Sequence, residues 1–408
     1  MKKAFYLAVL FSGALFAQDT PRVLFVGNSY TNYNNLPQLV DDIAISLGDD
    51  LIHAAHTPGG NTMQQHSVNT TLMNKLDDDV WNFVVLQAQS QEPSFSPSQV
   101  SNDVYPYAAN LCDSIIANNS CAEPLFFMTW GRENGDASNC QNYPPICTYD
   151  GMQTRLSESY TEMSLNNEAS LSPVGEVWRS VRTQFPNYDL YSSDGSHPSL
   201  LGSYLSACTF YEIIFQKSCI GASYPSSISS QEAADIQAIV NLTVSQDIAT
   251  WLGYGNVPFV NPSLNFDGSL LHFNANGQNG TNYEWDFGDG NTSPLDTGLH
   301  AYAAGGNYEV NLSYSNSCHS FETSFTVFAN LGLEESLQEL NIYLENKLLS
   351  IQSENSISGP LNIFTMEGKK VHSQTLNQHT TQIDLQGLNE GIYILQLTDG
   401  THLKFQLK

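Results

Sequence analysis

The sequence contains very few basic residues. Lysine and arginine together number 14 among 408 residues, against 41 aspartates and glutamates, which gives a formal net charge of −27. Nucleic acids and anionic membrane surfaces bind proteins through lysine and arginine, so neither is expected as the main partner. Hydrophobic residues still make up 41% of the chain and aromatic residues 11%, which excludes a wholly disordered protein.

Long hydrophobic runs are also missing, apart from one near the first residue. Lys2 and Lys3 precede an apolar run at residues 4–16, which ends at Ala17. A run of about 13 residues is too short to span a bilayer, which needs about 20, and the layout is typical of a secretory signal. We therefore expect a signal peptide at residues 1–17, no transmembrane segment, and an exported mature protein.

Cysteines are few, and none has the short Cys-x2-Cys spacing of a zinc site. Six of the seven fall in three close sequential pairs, and Cys318 stands apart. In an oxidising compartment this pattern favours disulfides over metal binding, although six cysteines allow 15 pairings. Proximity predicts three local disulfides and leaves Cys318 as a buried thiol; the predicted pairs are Cys112–Cys121, Cys140–Cys147 and Cys208–Cys219.

Apolar runs alternate with helical stretches over residues 18–254, which predicts an α/β domain with a parallel sheet. The domain 258–329 has short strands separated by Gly, Asn and Asp turns, a pattern typical of a β-sandwich. A further all-β domain is predicted at 334–408. The clearest strands of the α/β domain lie at 23–27 (VLFVG), 83–86 (FVVL) and 125–129 (LFFMT).

Two polar motifs of the α/β domain contain the groups that a serine nucleophile needs. GNSY at 27–30 ends the first predicted strand, and parallel sheets bind ligands at the carboxyl ends of their strands. DGSH at 194–197 precedes a helical stretch, and its Asp194 and His197 can approach a serine from one loop. Such a serine needs a base to accept its proton, and the base needs an anion to orient it.

Two further motifs lie where they can supply hydrogen-bond donors to the same crevice. GGN at 59–61 follows a predicted strand at 51–55, and QAQSQ at 87–91 follows the strand at 83–86. Acyl transfer needs such donors for the oxyanion that develops on the carbonyl. Taken alone, GGN is better explained as a tight turn and QAQSQ as a polar loop, so the prediction depends on the combination of motifs.

In this order the four motifs resemble those of the SGNH (GDSL-like) hydrolase family, over about residues 22–254. The resemblance implies a flavodoxin-like three-layer sandwich with no cofactor and no metal. It implies that Ser29 is the nucleophile, His197 the general base, and Asp194 the group that orients the imidazole. It also implies that the N–H groups of Ser29 and Gly60 are oxyanion donors.

The third motif departs from the family pattern, because it offers only glutamines where Gly-x-Asn-Asp is usual. We assign Gln89 as the third oxyanion donor, with Gln91 as the alternative, since a side-chain amide is the donor type required. The departure also leaves open a rival hypothesis, a non-catalytic adhesion or glycan-binding protein on an SGNH scaffold. Arg132, after another predicted strand, is a possible contact for a substrate oxygen.

The other histidines and cations do not support metal or phosphoryl chemistry. His53, His56 and His66 flank the Gly60 loop without the spacing of a metal site. A phosphatase or nuclease would need a Lys/Arg or metal cluster around Ser29, and the sequence predicts neither.

The downstream domains resemble two extracellular modules. YEWDFGDG at 283–290 and GNYEV at 306–310 resemble a PKD-type immunoglobulin-like domain. Residues 334–408, which include GIYI at 391–394, are similar to the C-terminal sorting domain of the Bacteroidetes type IX secretion system. These resemblances imply two all-β immunoglobulin-like sandwich domains, passage across the outer membrane, and contact with the secretion machinery.

Together these features predict a secreted serine esterase. We expect it to release a small, acetyl-like group from a carbohydrate through an acyl-Ser29 intermediate. The carbohydrate preference follows from the family resemblance and the export context alone. Because the chain is strongly acidic, neutral esters are better substrates on electrostatic grounds than strongly anionic ones.

Overall fold

The computed structural model describes residues 20–266, 270–329, 341–345, 347–365, 369–389, 391–397 and 402–407. The predicted signal peptide at 1–17 lies outside these residues. The chain divides into two compact units, Met1–Asn330 and Leu331–Lys408.

The first unit contains a five-stranded parallel sheet with the order β2-β1-β3-β4-β5. This order is that of flavodoxin-like folds, in which ligands bind at the carboxyl edge of the sheet. The strands are β1 (Arg22–Val26), β2 (Ile52–His56), β3 (Phe83–Leu86), β4 (Glu123–Phe127) and β5 (Ser170–Ser172).

Helices cover both faces of this sheet, which confirms the predicted three-layer α/β fold. Successive residues of a strand point to opposite faces, so Val23 and Phe25 pack in one hydrophobic cluster with α2, α8, α9 and α10. Leu24 and Val26 pack in the other with α4, α6 and α7. The helices are α1 (Ser29–Asn32), α2 (Leu36–Ser46), α3 (Met63–Ser67), α4 (Thr70–Asp77), α5 (Pro97–Asp103), α6 (Tyr105–Asn118), α7 (Tyr149–Asn166), α8 (Val174–Gln184), α9 (Leu200–Phe215), α10 (Ser230–Thr243) and α11 (Ile248–Leu252).

Four short 3-10 helices complete this region, and the first of them directly follows α1. They are Tyr33–Asn35, Glu92–Ser94, Pro144–Cys147 and Ser245–Asp247. Within the described part of the chain, we find no helix both long and apolar enough to cross a membrane.

The rest of the first unit is an antiparallel β-sandwich, as predicted. A three-stranded sheet has the order β10-β7-β6, and a four-stranded sheet has the order β12-β11-β8-β9. The buried rings of Trp285 and Phe287 contact Phe273 of the other sheet, with ring centroids 5.2 and 5.1 Å apart. The strands are β6 (Ser263–Phe266), β7 (Leu271–Asn274), β8 (Asn282–Asp286), β9 (Thr292–Ser293), β10 (Thr297–His300), β11 (Gly306–Ser315) and β12 (Ser320–Ala329).

The second unit is also antiparallel β-structure, with the strand order β13-β14-β16-β17 and β15 paired to β14. Alternating apolar residues form its core, among them Leu349, Ile351, Leu361 and Ile363. The strands are β13 (Asn341–Glu345), β14 (Leu348–Thr365), β15 (Lys370–Asp384), β16 (Gly391–Gln396) and β17 (His402–Leu407).

The cysteines pair differently from the prediction. Cys121 forms a disulfide with Cys318, in the turn between β11 and β12, and thereby joins the α/β domain to the β-sandwich. The predicted pair Cys112–Cys121 is wrong because Cys112 packs in the hydrophobic core from α6, whereas Cys121 lies beyond the end of that helix. The structure confirms Cys140–Cys147 but not Cys208–Cys219; the buried free thiols are Cys112, Cys208 and Cys219.

Candidate active site

Ser29 is the first residue of α1, at the carboxyl edge of the sheet, just beyond β1. Asn28 precedes it and caps the helix, since its Oδ1 accepts a hydrogen bond from the N–H of Tyr30 at 3.1 Å. The Nδ2 of Asn28 donates to the carbonyl of Asn61 at 3.1 Å. The cap therefore ties the Ser29 turn to the loop that follows β2.

Gln87, which is fully buried, fastens the same turn from the side of β3. Its Oε1 accepts hydrogen bonds from the backbone N–H of Asn28 and from the hydroxyl of Thr31, both at 2.9 Å. A β-carbon on Gly27 would lie 2.3 Å from Thr31 Oγ1 and 2.6 Å from Gln87 Oε1, so this corner requires glycine. This anchoring role of Gln87 was not predicted, and the one signal for it in the sequence is a glutamine placed directly after a buried strand.

The structure brings His197 and Asp194 to Ser29. The Nε2 of His197 lies 2.8 Å from Ser29 Oγ, and its Nδ1 lies 2.5 Å from Asp194 Oδ2. Asp194 Oδ1 accepts hydrogen bonds from the backbone N–H groups of Ser196 and His197, each at 2.9 Å. The three groups form one hydrogen-bonded chain, in which an imidazole can accept a proton from the serine hydroxyl.

The surroundings of Asp194 keep its carboxyl group ionised. Burial by itself would raise the pKa of Asp194, but the hydrogen bond with the His197 side chain and the two backbone N–H groups outweigh it. The net effect is a pKa below the ordinary value. An ionised carboxylate at Nδ1 favours the tautomer whose Nε2 is free to accept a proton.

The loop after β4 supports the segment that carries these residues. The N–H of Glu133 donates to the carbonyl of Gly195 at 2.9 Å, and the indole of Trp130 donates to the carbonyl of Ser196 at 3.0 Å. The hydroxyl of Ser196 lies 2.7 Å from the Tyr30 hydroxyl. Trp130 is fully buried and contacts this segment.

Two backbone N–H groups, those of Ser29 and of Gly60 in the loop tied to the Ser29 turn, are available to a ligand. Gly60 lies in the loop after β2 with φ at +72°, in the left-handed region that favours glycine. Among the hydrogen bonds formed by the described residues, none uses the N–H of Gly60 or of Ser29 as donor. These two donors were predicted for an oxyanion, and that role stays a prediction.

The predicted third donor, Gln89, uses its side-chain oxygen as an acceptor within its own turn. Its Oε1 accepts hydrogen bonds from the N–H groups of Gln91 and Glu92, at 2.9 and 3.3 Å. Gln91, the predicted alternative, accepts a hydrogen bond from the Arg132 guanidinium. Arg132 also donates to the buried Asp136 at 3.3 Å, so its guanidinium bridges the loops after β3 and β4.

The histidines near Gly60 are packed in the protein interior. The rings of His56 and His66 contact each other edge to face, with centroids 5.5 Å apart. Burial and the neighbouring His56 lower the pKa of His66 to about 4, so its ring is neutral. No group of three or more His, Cys, Asp or Glu suited to a metal ion occurs in the described ranges.

Comparison with known families identifies the two β-rich regions. Residues 260–328 match the model of the PKD domain, and residues 344–408 match that of a secretion system C-terminal sorting domain. The sorting domain indicates export across the outer membrane to the cell surface or the medium. No curated protein matches the chain.

Solved structures similar to the chain include several that span its α/β domain. One, from Slackia heliotrinireducens and described as an SGNH hydrolase, is 26% identical, with a TM-score of 0.40, and the match covers 48% of this chain and 98% of that one. A DUF4886 family protein from Bacteroides uniformis is 18% identical, with a TM-score of 0.48 and coverage of 55% and 95%. A psychrotrophic esterase from a Pseudoalteromonas species is 14% identical, with a TM-score of 0.34 and coverage of 47% and 94%.

Proposed function

We propose that this protein is an exported serine esterase with Ser29, His197 and Asp194 as its catalytic residues. The observation that carries the proposal is the continuous hydrogen-bonded chain from Asp194 through His197 to Ser29. These three hydrogen-bonded residues lie at the carboxyl edge of a flavodoxin-like sheet, where α/β proteins bind their ligands.

In the first half of the reaction, Ser29 Oγ attacks the ester carbonyl carbon as its proton passes to Nε2 of His197. The carbonyl electrons move to its oxygen, and the N–H groups of Ser29 and Gly60 stabilise that oxyanion, with Gln89 as the proposed third donor. As the tetrahedral intermediate collapses, the C–O bond to the alcohol breaks, and Nε2 returns the proton to the departing oxygen. An acyl-Ser29 ester remains.

In the second half, Nε2 of His197 takes a proton from water, whose oxygen attacks the acyl carbon. Collapse of this intermediate breaks the bond to Ser29 Oγ, which regains a proton from Nε2 and releases the carboxylic acid. Asp194 holds the imidazole in the required tautomer and stabilises the imidazolium in both halves.

We propose a neutral ester as the substrate, namely a small acyl group on a carbohydrate. The net charge of −27 supports a neutral substrate, because a strongly acidic protein repels an anionic one. Export to the cell surface or the medium also suits a substrate found outside the cell.

The test is hydrolysis of acetylated sugars and nitrophenyl esters by wild type, Ser29→Ala and the control Ser98→Ala. Ser98 is an exposed serine of α5, so its removal leaves the site intact. We expect Ser98→Ala to hydrolyse at least one ester at the wild-type rate and Ser29→Ala to hydrolyse none. Failure of wild type on every ester, together with tight glycan binding, would favour the rival adhesion protein.

A further inference from the structure

An exposed tyrosine covers part of the His197 imidazole. The Tyr33 ring stacks on it, with centroids 4.8 Å apart and planes inclined by 24°. Tyr33 is 40% exposed, so the hydrophobic core does not account for its position. A stacked ring restricts rotation of the imidazole and covers one of its faces.

The backbone that follows Tyr33 adopts an unfavourable conformation. Asn34 and Asn35 both lie in the left-handed region, with φ of 52° and 53°. Two consecutive non-glycine residues there cost conformational free energy, and such strain clusters at functional sites.

The Asn34 side chain anchors this strained turn to the segment that follows His197. Its Nδ2 donates to the carbonyl of Ser199 at 3.1 Å and to Ser203 Oγ at 2.9 Å. Tyr33 and His197 are therefore held together in two ways: their rings stack, and Asn34 ties the turn after Tyr33 to the segment after His197.

The other groups around the imidazole do not stack on it as Tyr33 does. Ser29 occupies Nε2 and Asp194 occupies Nδ1. Tyr30 approaches His197 edge to face, with centroids 5.5 Å apart. Of these groups, Asp194 is the one that carries a charge. Two charged side chains of the loop after β4 lie farther out: the Glu133 carboxylate lies beside Gly195, and the Arg132 guanidinium acts on Tyr30.

We propose that Tyr33 is a positioning residue, which aims His197 at Ser29 and stabilises the imidazolium that forms when the serine proton is taken up. This inference rests on the function proposed above. An aromatic face is negative and attracts a stacked cation. Because the ring gains its positive charge as it takes up the serine proton, the contact is stronger in the transition state.

The kinetic test compares wild type with Tyr33→Leu and Tyr33→Phe. We expect Tyr33→Leu to lower kcat about threefold to fivefold with little change in KM, the effect of losing an exposed cation–π contact. The acidic limb of its kcat/KM profile should move to lower pH, because the protonated imidazole is less stable. Tyr33→Phe should stay within about twofold of wild type, since it keeps the ring.

A matched control is Tyr224→Leu, which removes another exposed tyrosine, one that is 41% exposed. It should leave both kcat and the pH profile unchanged. If Tyr33→Leu hydrolyses esters like wild type with the same acidic limb, the proposal is wrong.

A second measurement does not depend on turnover. The ring carbon-bound protons of His197 can be followed by NMR in ¹³C-histidine-labelled protein and assigned with His197→Gln. In Tyr33→Leu the resonance should lose its ring-current shift, and its titration midpoint should fall. An unchanged resonance and midpoint would overturn the proposal whether or not the protein hydrolyses esters. If both change while wild type shows no Ser29-dependent hydrolysis, the stacking contact stands and the proposed esterase function fails.

Discussion

Replacement of Asp194 by asparagine tests how His197 is oriented. Oδ1 of Asp194 accepts hydrogen bonds from the backbone N–H groups of Ser196 and His197, each at 2.9 Å. An amide at this position keeps its oxygen on those two donors, because its N–H groups cannot accept a hydrogen bond. The amide nitrogen then occupies the place of Oδ2, 2.5 Å from Nδ1 of His197 in the wild type.

This geometry sets the size of the effect. Facing an N–H donor, Nδ1 must be the unprotonated nitrogen, so Nε2 carries the proton and cannot take one from Ser29. In a serine triad the wrong tautomer lowers kcat by about 10⁴, or about 5 kcal/mol in the activation barrier. The Asp194 side chain is 47% exposed, so water can replace it in Asp194→Ala. We therefore expect alanine to lower kcat less, by about 10²–10³.

The assay is nitrophenyl acetate hydrolysis between pH 6 and 9, with Asp189→Asn as a control on the same loop. Asp189 Oδ1 accepts a long hydrogen bond from the N–H of Tyr191 at 3.3 Å and does not contact the imidazole. The control should retain wild-type kcat. The proposed role of Asp194 is wrong if Asp194→Ala lowers kcat as much as Asp194→Asn, or if the kcat of Asp194→Asn stays within about threefold of wild type.

Three further predictions concern the scaffold. Gln87→Leu leaves two buried donors at the Ser29 turn unpaired, the N–H of Asn28 and the hydroxyl of Thr31. Urea denaturation should show a loss of about 1–3 kcal/mol in unfolding free energy for each donor, and an unchanged midpoint would contradict this. Cys121→Ser/Cys318→Ser opens a disulfide that spans 197 residues. We expect calorimetry to show a loss of about 2–5 kcal/mol in unfolding free energy, and at least as large a loss when wild type is reduced, because reduction also opens Cys140–Cys147. An unaltered Tm of the double mutant would be contrary evidence. Burial raises the pKa of Glu123 from 4.5 to about 7, so the folded state binds the extra proton and stability falls as pH rises through that window. The difference in unfolding free energy between wild type and Glu123→Gln should change by roughly 3 kcal/mol from pH 4 to 8, and parallel pH dependences would argue against this.

The α/β core could be predicted because buried parallel strands are continuous apolar runs. The predicted strand at 83–86 coincides with β3, and the helical stretch predicted after the motif at 194–197 is α9. β5, with the sequence SLS, was missed because three residues with two serines contain no such run. β4 begins two residues before its predicted start, because Glu123 is buried in the strand and accepts a hydrogen bond from Ser170 at 2.9 Å.

The active-site residues were predicted from two motifs, whereas the contacts that fix them depend on tertiary distances. Ser29 follows a strand, and parallel strands bring their carboxyl ends to one edge of the sheet. Asp194 and His197 lie in the loop before α9, and they were predicted because a nucleophilic serine needs a base and an anion. Gln87 was not predicted as an anchor, because its two partners lie on the neighbouring strand's turn. The Cys121 disulfide was missed for a similar reason, since pairing by chain proximity ignores contacts between domains.

Covalent labelling tests most directly whether Ser29 is a nucleophile. Wild type and Ser29→Ala are treated with a fluorophosphonate probe, digested and examined by mass spectrometry. We expect one adduct on wild type, on the peptide that contains Ser29, and its loss in Ser29→Ala and after denaturation. Equal labelling of wild type and Ser29→Ala, or labelling at another serine, would contradict it.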